Sequence, residues 1–217
     1  LSDSIDDCSY IFTPLLISIQ RNNFNIVELL LKQPKIDANF IVSCCDWSKR
    51  EETLNALIFA IINESIELTN LLLKYGDIDM NKSLIIKEKK ENGYIKIDEY
   101  YPLHEAIISN NFEIIKILLS NKKTDVNVKQ KIFIYYGENN QKNSTKKVTA
   151  LEKSIENSNI DIVKLLVNHP NIDINKYSTI INDCKNVKKT PLILAILNDD
   201  SEIVELLLNH PNIDVNI

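Results

Sequence analysis

Five stretches of this chain lie on one another without a gap, and that self-similarity restricts its fold more than any other property. TPLLISIQRNNFNIVELLLKQPKIDAN (13–39) aligns with NALIFAIINESIELTNLLLKYGDIDMN (55–81), YPLHEAIISNNFEIIKILLSNKKTDVN (101–127), TALEKSIENSNIDIVKLLVNHPNIDIN (149–175) and TPLILAILNDDSEIVELLLNHPNIDVN (190–216). Repetition at a period of a few tens of residues indicates a solenoid, in which each unit buries its apolar face only by stacking on its neighbours. The 217 residues therefore read as one continuous array over 1–217, and function is expected on a long surface and not in a single pocket.

Each unit reads as two short antiparallel helices. In the first, Thr13 suits an N-cap and Pro14 the first helical position, where a missing N–H costs nothing. Leu15 and Ile19 share a face, Asn22 and Asn23 break the pattern, and a second apolar stripe follows at Ile26, Val27, Leu30 and Leu31. Pro34 ends the second helix, and Asp37 to Asn39 lead into an extended segment. One column, four residues after Pro14 and its equivalents, holds Ser18, Ala60, Ala106, Ser154 and Ala195. Side chains that are always small there predict a close helix-to-helix contact between stacked units.

The TPL start, the small residue four positions on, the IVELLL stripe and the closing Asp-x-Asn together resemble the ankyrin repeat, most fully at Pro102–Ala106 (PLHEA) and at Thr190-Pro191-Leu192. The resemblance implies an all-α dominated solenoid of stacked helix pairs with extended β-hairpin fingers, binding proteins through the fingers and a concave face. Only the third copy keeps the family's His, at His104. Leu16, Ile58, Glu152 and Ile193 replace it elsewhere, so the network that this His supports is expected to be mostly missing. The family's turn glycines are replaced by Asn22, Asn23, Asn110, Asn111, Asn157, Asn159, Asp199 and Asp200, residue types that best tolerate the left-handed conformation after Gly. The 27 Asn, 35 Ile and 23 Lys make the composition similar to that of proteins from AT-rich protist genomes.

Repeat starts at 13, 55, 101, 149 and 190 exceed the usual period of about 33 residues, so every finger is enlarged. In 82–100, Ile85 and Ile86 precede Asn92-Gly93 and then Tyr94, Ile95 and Ile97, which predicts a hairpin closed by a tight Asn-Gly turn. Ile132, Ile134 and Tyr136 alternate before a polar loop at 137–144, predicting a second. Ten of the fifteen aromatics lie outside the aligned cores. Of these, Phe40, Tyr100 and Phe133, near the finger bases, are expected to pack. Trp47, Tyr94, Tyr135, Tyr136 and Tyr177 are candidates for protein contact, since aromatics supply large, stiff, amphipathic area. The four inter-core segments carry a balance of +7 within a chain of net charge −5, and Lys89, Lys90, Lys146 and Lys147 join the candidates because segregated charge steers a partner. The competing reading is a set of solvated lysines protecting strand edges.

No catalytic constellation emerges, and the chain is expected to be neither an enzyme nor a cofactor or metal binder. His169-Pro170 and His210-Pro211 recur within NHPNID and read as features of the repeat. Asp37, Asn39 and their counterparts lack the dense acidic loop and closing Glu of a calcium-binding EF-hand. Cys184 has no recognisable base nearby, and three scattered glycines make no phosphate loop. Cys8, Cys44, Cys45 and Cys184 are expected to be free thiols in a reducing, intracellular and cytoplasmic setting. No apolar run reaches the roughly 18 residues of a membrane span. The LSDSIDDCSY start, lacking Met or an apolar leader, and the apolar fifth copy suggest a monomeric piece of a longer solenoid.

The expected function is noncatalytic protein binding, as a recognition module or scaffold for a partner that the sequence does not identify. Two alternatives stand beside it. One is a targeting module for an enzyme domain elsewhere in the parent chain. The other is weak binding to anionic surfaces through the Lys-rich fingers, against which the pI of about 5.3 makes nucleic acid an unfavoured partner.

Overall fold

A computed structural model describes residues 13–45, 51–89, 94–136, 141–182 and 185–217, without the side chains of residues 44, 45, 136, 141–143 and 182. Five helix pairs succeed one another: α1 (Pro14–Gln20) with α2 (Phe24–Leu31), α3 (Ala56–Ile62) with α4 (Ile66–Tyr75), α5 (Pro102–Ile108) with α6 (Phe112–Ser120), α7 (Ala150–Glu156) with α8 (Ile160–Val167), and α9 (Pro191–Leu197) with α10 (Ser201–Leu208). Between them run β1 (Val42–Cys45), β2 (Glu51–Leu54), β3 (Leu84–Lys89), β4 (Ile95–Tyr100), β5 (Lys129–Tyr136), β6 (Gln141–Thr149), β7 (Ser178–Asn182) and β8 (Lys185–Lys189).

Each pair is joined by the same closed turn. In the first, Asn22 is left-handed (φ 50°); its N–H donates to Ile19 O, and the N–H of Asn23 donates to Ser18 O, both at 2.9 Å. These are the two bonds of a Schellman motif, which satisfies carbonyls that the helix end leaves open. Asn23 then caps α2, its Oδ1 accepting the N–H of Ile26 at 3.2 Å. The left-handed position is taken by Asn22, Glu64, Asn110, Ser158 and Asp199. Of the predicted turn residues, Asn23, Asn111, Asn159 and Asp200 are N-caps instead, and Asn157 is the C-cap of α7, one position before the strained residue.

The small column is buried throughout: Ser18 is 4% exposed, and Ala60, Ala106, Ser154 and Ala195 are fully enclosed. The two serines return their hydroxyls to their own helices, to Leu15 O and Leu151 O at 2.7 Å, so they cross the core without an unsatisfied group.

The fingers differ from the expectation of an all-α dominated solenoid. Their strands do not stand as separate hairpins but pair across units as well, forming one eight-stranded antiparallel sheet in the order β1 to β8. Both predicted hairpins are present as β3–β4 and β5–β6, and β1–β2 and β7–β8 form two more. Neighbouring fingers join where Ile95–Glu99 of β4 lies against Lys131–Tyr135 of β5, and where Ser144–Lys147 of β6 lies against Thr179–Asn182 of β7. The predicted Asn92-Gly93 turn lies outside the described residues, as do Cys8 and Cys184.

Candidate protein-binding surface

Alternate residues of a strand point to opposite faces of a sheet, and the register assigns the finger residues accordingly. One row runs Ile86, Asp98, Ile132, Lys146, Ile180, Val187. Lys146 Nζ reaches Glu156 Oε1 at 2.6 Å, at the end of α7, so this face closes over the first helices of the pairs; we call it the palm. The adjacent row, Ile85, Glu99, Lys131, Lys147, Thr179, Lys188, belongs to the opposite face, the back.

Beside the palm, the helix position held by Glu156 is occupied in other units by Ile62, Ile108 and Leu197, which are 39%, 48% and 59% exposed. Aliphatic side chains left in water on these helices, facing half-buried Ile86, Ile132 and Ile180, make an apolar strip. It is punctuated by two ion pairs, Lys96–Asp98 at 2.6 Å and Lys146–Glu156. Sequence reading missed this strip because its helix column holds polar Gln20 and Glu156 in two of the five units, and exposure is not visible in a repeat pattern.

The sequence candidates do not converge on one face. Lys146 lies on the palm, and Tyr94, half-buried, precedes β4 with the same parity. Lys89, Tyr135, Lys147 and Tyr177 have back-face parity. Tyr136 belongs to β5, its side chain outside the description, and Trp47 and Lys90 lie outside the described residues. Tyr100 packs as expected at 2% exposure, its hydroxyl donating to Glu52 Oε1 at 3.2 Å and to Thr53 O at 3.3 Å. Phe133 is half-buried, whereas Phe40 is 50% exposed and does not pack at its finger base.

On the back face Lys129 and Lys188 both stand over the Tyr177 ring, at 4.3 and 4.6 Å from its centroid. Burial holds the Lys129 ammonium below the ordinary lysine range; Glu152 and Tyr177 oppose that shift, while Lys176 and Lys147 add repulsion. Lys131, by contrast, is paired with Glu99 at 2.8 Å, which raises its pKa.

Under the sheet, His104 and Glu152 occupy the same column of adjacent units, and both are fully buried. His104 Nε2 sits 3.2 Å from Val148 O; a carbonyl only accepts, so Nε2 carries the proton. Burial lowers the His104 pKa to about 4 despite that bond. Glu152 closes a capping box with Thr149, accepting its N–H at 2.8 Å, and burial still raises its pKa to about 7. At Leu16, Ile58 and Ile193 that column is apolar, as expected, and beside His104 only the Glu152 carboxyl supplies a polar group there. These groups are enclosed and brace the stack.

His169 and His210 each accept a backbone N–H two residues on, from Asn171 and Asn212, at 3.2 Å, a local loop role. Among the described residues no three His, Cys, Asp or Glu side chains gather as a metal site, and no helix is long and apolar enough to cross a membrane.

A family model described as ankyrin repeats (3 copies) matches residues 2–83, 39–130 and 130–217. The chain belongs to the ankyrin-repeat family. Among solved structures it resembles the ankyrin repeat domain of Bcl-3, described as a unique member of the IkappaB protein family, at 18% identity and a TM-score of 0.57, over 93% of this chain and 73% of that one. At that identity the likeness concerns the fold alone. No curated protein matches the sequence. Ankyrin repeats are generally noncatalytic protein–protein interaction modules.

Proposed function

We propose that this ankyrin array is a noncatalytic recognition module that seats a partner protein on its palm. The observation that carries this reading is the strip of Ile62 and Ile108 on adjacent units facing Ile86, Ile132 and Ile180 across the palm. Contiguous exposed aliphatic side chains rimmed by charge mark interaction surfaces. Trp47, Tyr94 and Tyr136 remain the aromatic candidates of the sequence reading, and the partner is expected inside the cell.

The test is affinity capture from a cell extract with the chain and with Ile62→Asp/Ile108→Asp. Both side chains are part-exposed, at 39% and 48%, so the double variant should still fold, with a modestly lower thermal midpoint, while losing captured protein. A bound set unchanged by the double variant, and by Tyr94→Ser, would overturn the palm as the working surface.

A further inference from the structure

We infer that the back of the finger sheet holds a second binding surface, built around Tyr177, which takes an acidic, extended protein segment. Its lysines come from three strands and a loop. Lys147 lies opposite Lys131 on one side and Thr179 on the other, and Thr179 lies opposite Lys188. Lys147 and Lys188 are thus two strand spacings apart on one face, about 10 Å. Lys129 shares that face, two residues before Lys131, and it and Lys188 share the Tyr177 ring. Lys176 immediately precedes Tyr177 in the chain.

The cluster gathers lysines without a countercharge around one ring. Four other strand lysines do have one: Lys87 with Glu51, Lys96 with Asp98, Lys131 with Glu99, Lys146 with Glu156. Among the described residues no ion pair serves Lys129, Lys147, Lys176 or Lys188. Glu152 attracts Lys129 but is buried and committed to Thr149. The like charges crowd one aromatic ring, an arrangement that favours an incoming anion over the empty state.

Geometry selects the anion. A single phosphate is best held by an Arg fork or a helix N-terminus, and the chain has two arginines, Arg21 and Arg50, neither in these strands. Point charges spread over about 10 Å instead match carboxylates on one face of an extended chain, which recur about every 7 Å. Thr179, between Lys147 and Lys188, sets no bulky side chain in the path of such a chain, and the Tyr177 ring stands beside it.

The experiment uses the whole chain and a fluorescein-labelled peptide of alternating Glu and Val, followed by anisotropy at 50 and 300 mM NaCl. The peptide should bind saturably, and its affinity should fall at least about 10-fold at the higher salt. Lys129→Gln and Lys188→Gln should each weaken it by about 3- to 10-fold, whereas Lys116→Gln on α6 should not. A structural role would lower the thermal midpoint; here Lys129→Gln should leave it unchanged or raise it, because repulsion is relieved. Absence of saturable binding, or affinity indifferent to the Lys129 and Lys188 changes, would overturn the inference. Displacement of the peptide by inorganic phosphate or oligo-dT at equal concentration would also overturn it, in favour of a phosphate or nucleic-acid surface. Loss of peptide binding with intact Ile62/Ile108-dependent capture would leave the palm reading standing.

Discussion

Asn127 clamps Asp173 of the following unit: its Oδ1 accepts the Asp173 N–H at 2.8 Å, while its Nδ2 donates to Asn171 O at 2.7 Å. The same two-bond bridge joins Asn39 to Asp77 and Asp79, Asn81 to Lys123 and Asp125, and Asn175 to Asn212 and Asp214. Each Asp in turn accepts the N–H of the Asn two residues on, as Asp125 does from Asn127 at 2.8 Å. The Asp-x-Asn signature is therefore a backbone splint between units.

Removing one splint should be felt. Asn127→Ala forfeits two inter-unit hydrogen bonds, each contributing about 0.5–1.5 kcal/mol, so a loss of about 1–3 kcal/mol is expected in urea denaturation. Asn127→Asp keeps the acceptor but sets a carboxylate oxygen against the Asn171 carbonyl, and should be no better.

Ala106 is fully enclosed in the small column. Ala106→Leu should destabilise the array by about 1–3 kcal/mol through overpacking. Ala106→Ser should be milder, since Ser18 and Ser154 already show how a hydroxyl there finds a carbonyl. Equal midpoints for Ala106→Leu and the parent chain would contradict the packing described.

The buried pair predicts opposite pH limbs. Glu152, raised to about 7, prefers its protonated form when folded. Its environment therefore carries no penalty below the unfolded value near 4.5 and destabilises progressively as pH rises to 7. His104, lowered to about 4, prefers to be neutral, so its contribution is complete above about 6.5 and lost as pH falls to 4. Glu152→Gln retains the capping-box acceptor and should gain on the parent chain by about 3 kcal/mol between pH 4 and pH 8. His104→Leu, the residue type of the first unit at Leu16, should flatten the acid limb. Thermal melts across pH 4–8 read both.

Glu64 holds a left-handed backbone, φ 53°, where a Cβ is strained by roughly 1–2 kcal/mol. Glu64→Gly removes that strain at some cost in unfolded-chain entropy. A net stabilisation of about 0.5–1 kcal/mol is expected, read as a higher thermal midpoint.

The helix pairs were legible because period, caps and small column agree: Thr13 caps Leu16 and Thr190 caps Ile193, as their types suggest. Hairpins β3–β4 and β5–β6 were legible from alternation. The joining of fingers was not, because the pairing of Ile97 with Phe133 depends on how units rotate relative to one another, which no local pattern encodes. Glu64 and Ser158 escaped for another reason: the turn's geometry is imposed by the closing bonds to Ala60 O and Ser154 O, and residue type only tunes its strain. Of the candidate surface residues, Lys147 and Tyr177 come together with Lys129 and Lys188, which charge counting alone could not single out. The five-fold Asp-x-Asn was a visible signal for the splint, but the sequence shows only its recurrence and not the carbonyl it reaches.

A stack of helix pairs alone resembles a column of coins, free to shear and twist a little at every joint. Here a sheet runs the length of the same column, and a slip between units would have to tear strand pairs at β4–β5 and β6–β7. Among the described residues the brace is thinnest where Glu51 and Glu52 meet β3, although Thr53 reinforces it by accepting the Ile85 N–H at 2.6 Å. The molecule is thus built as a truss, with helices in one chord and strands in the other. A truss arrives at its partner already shaped, so little configurational freedom is left to be lost on docking.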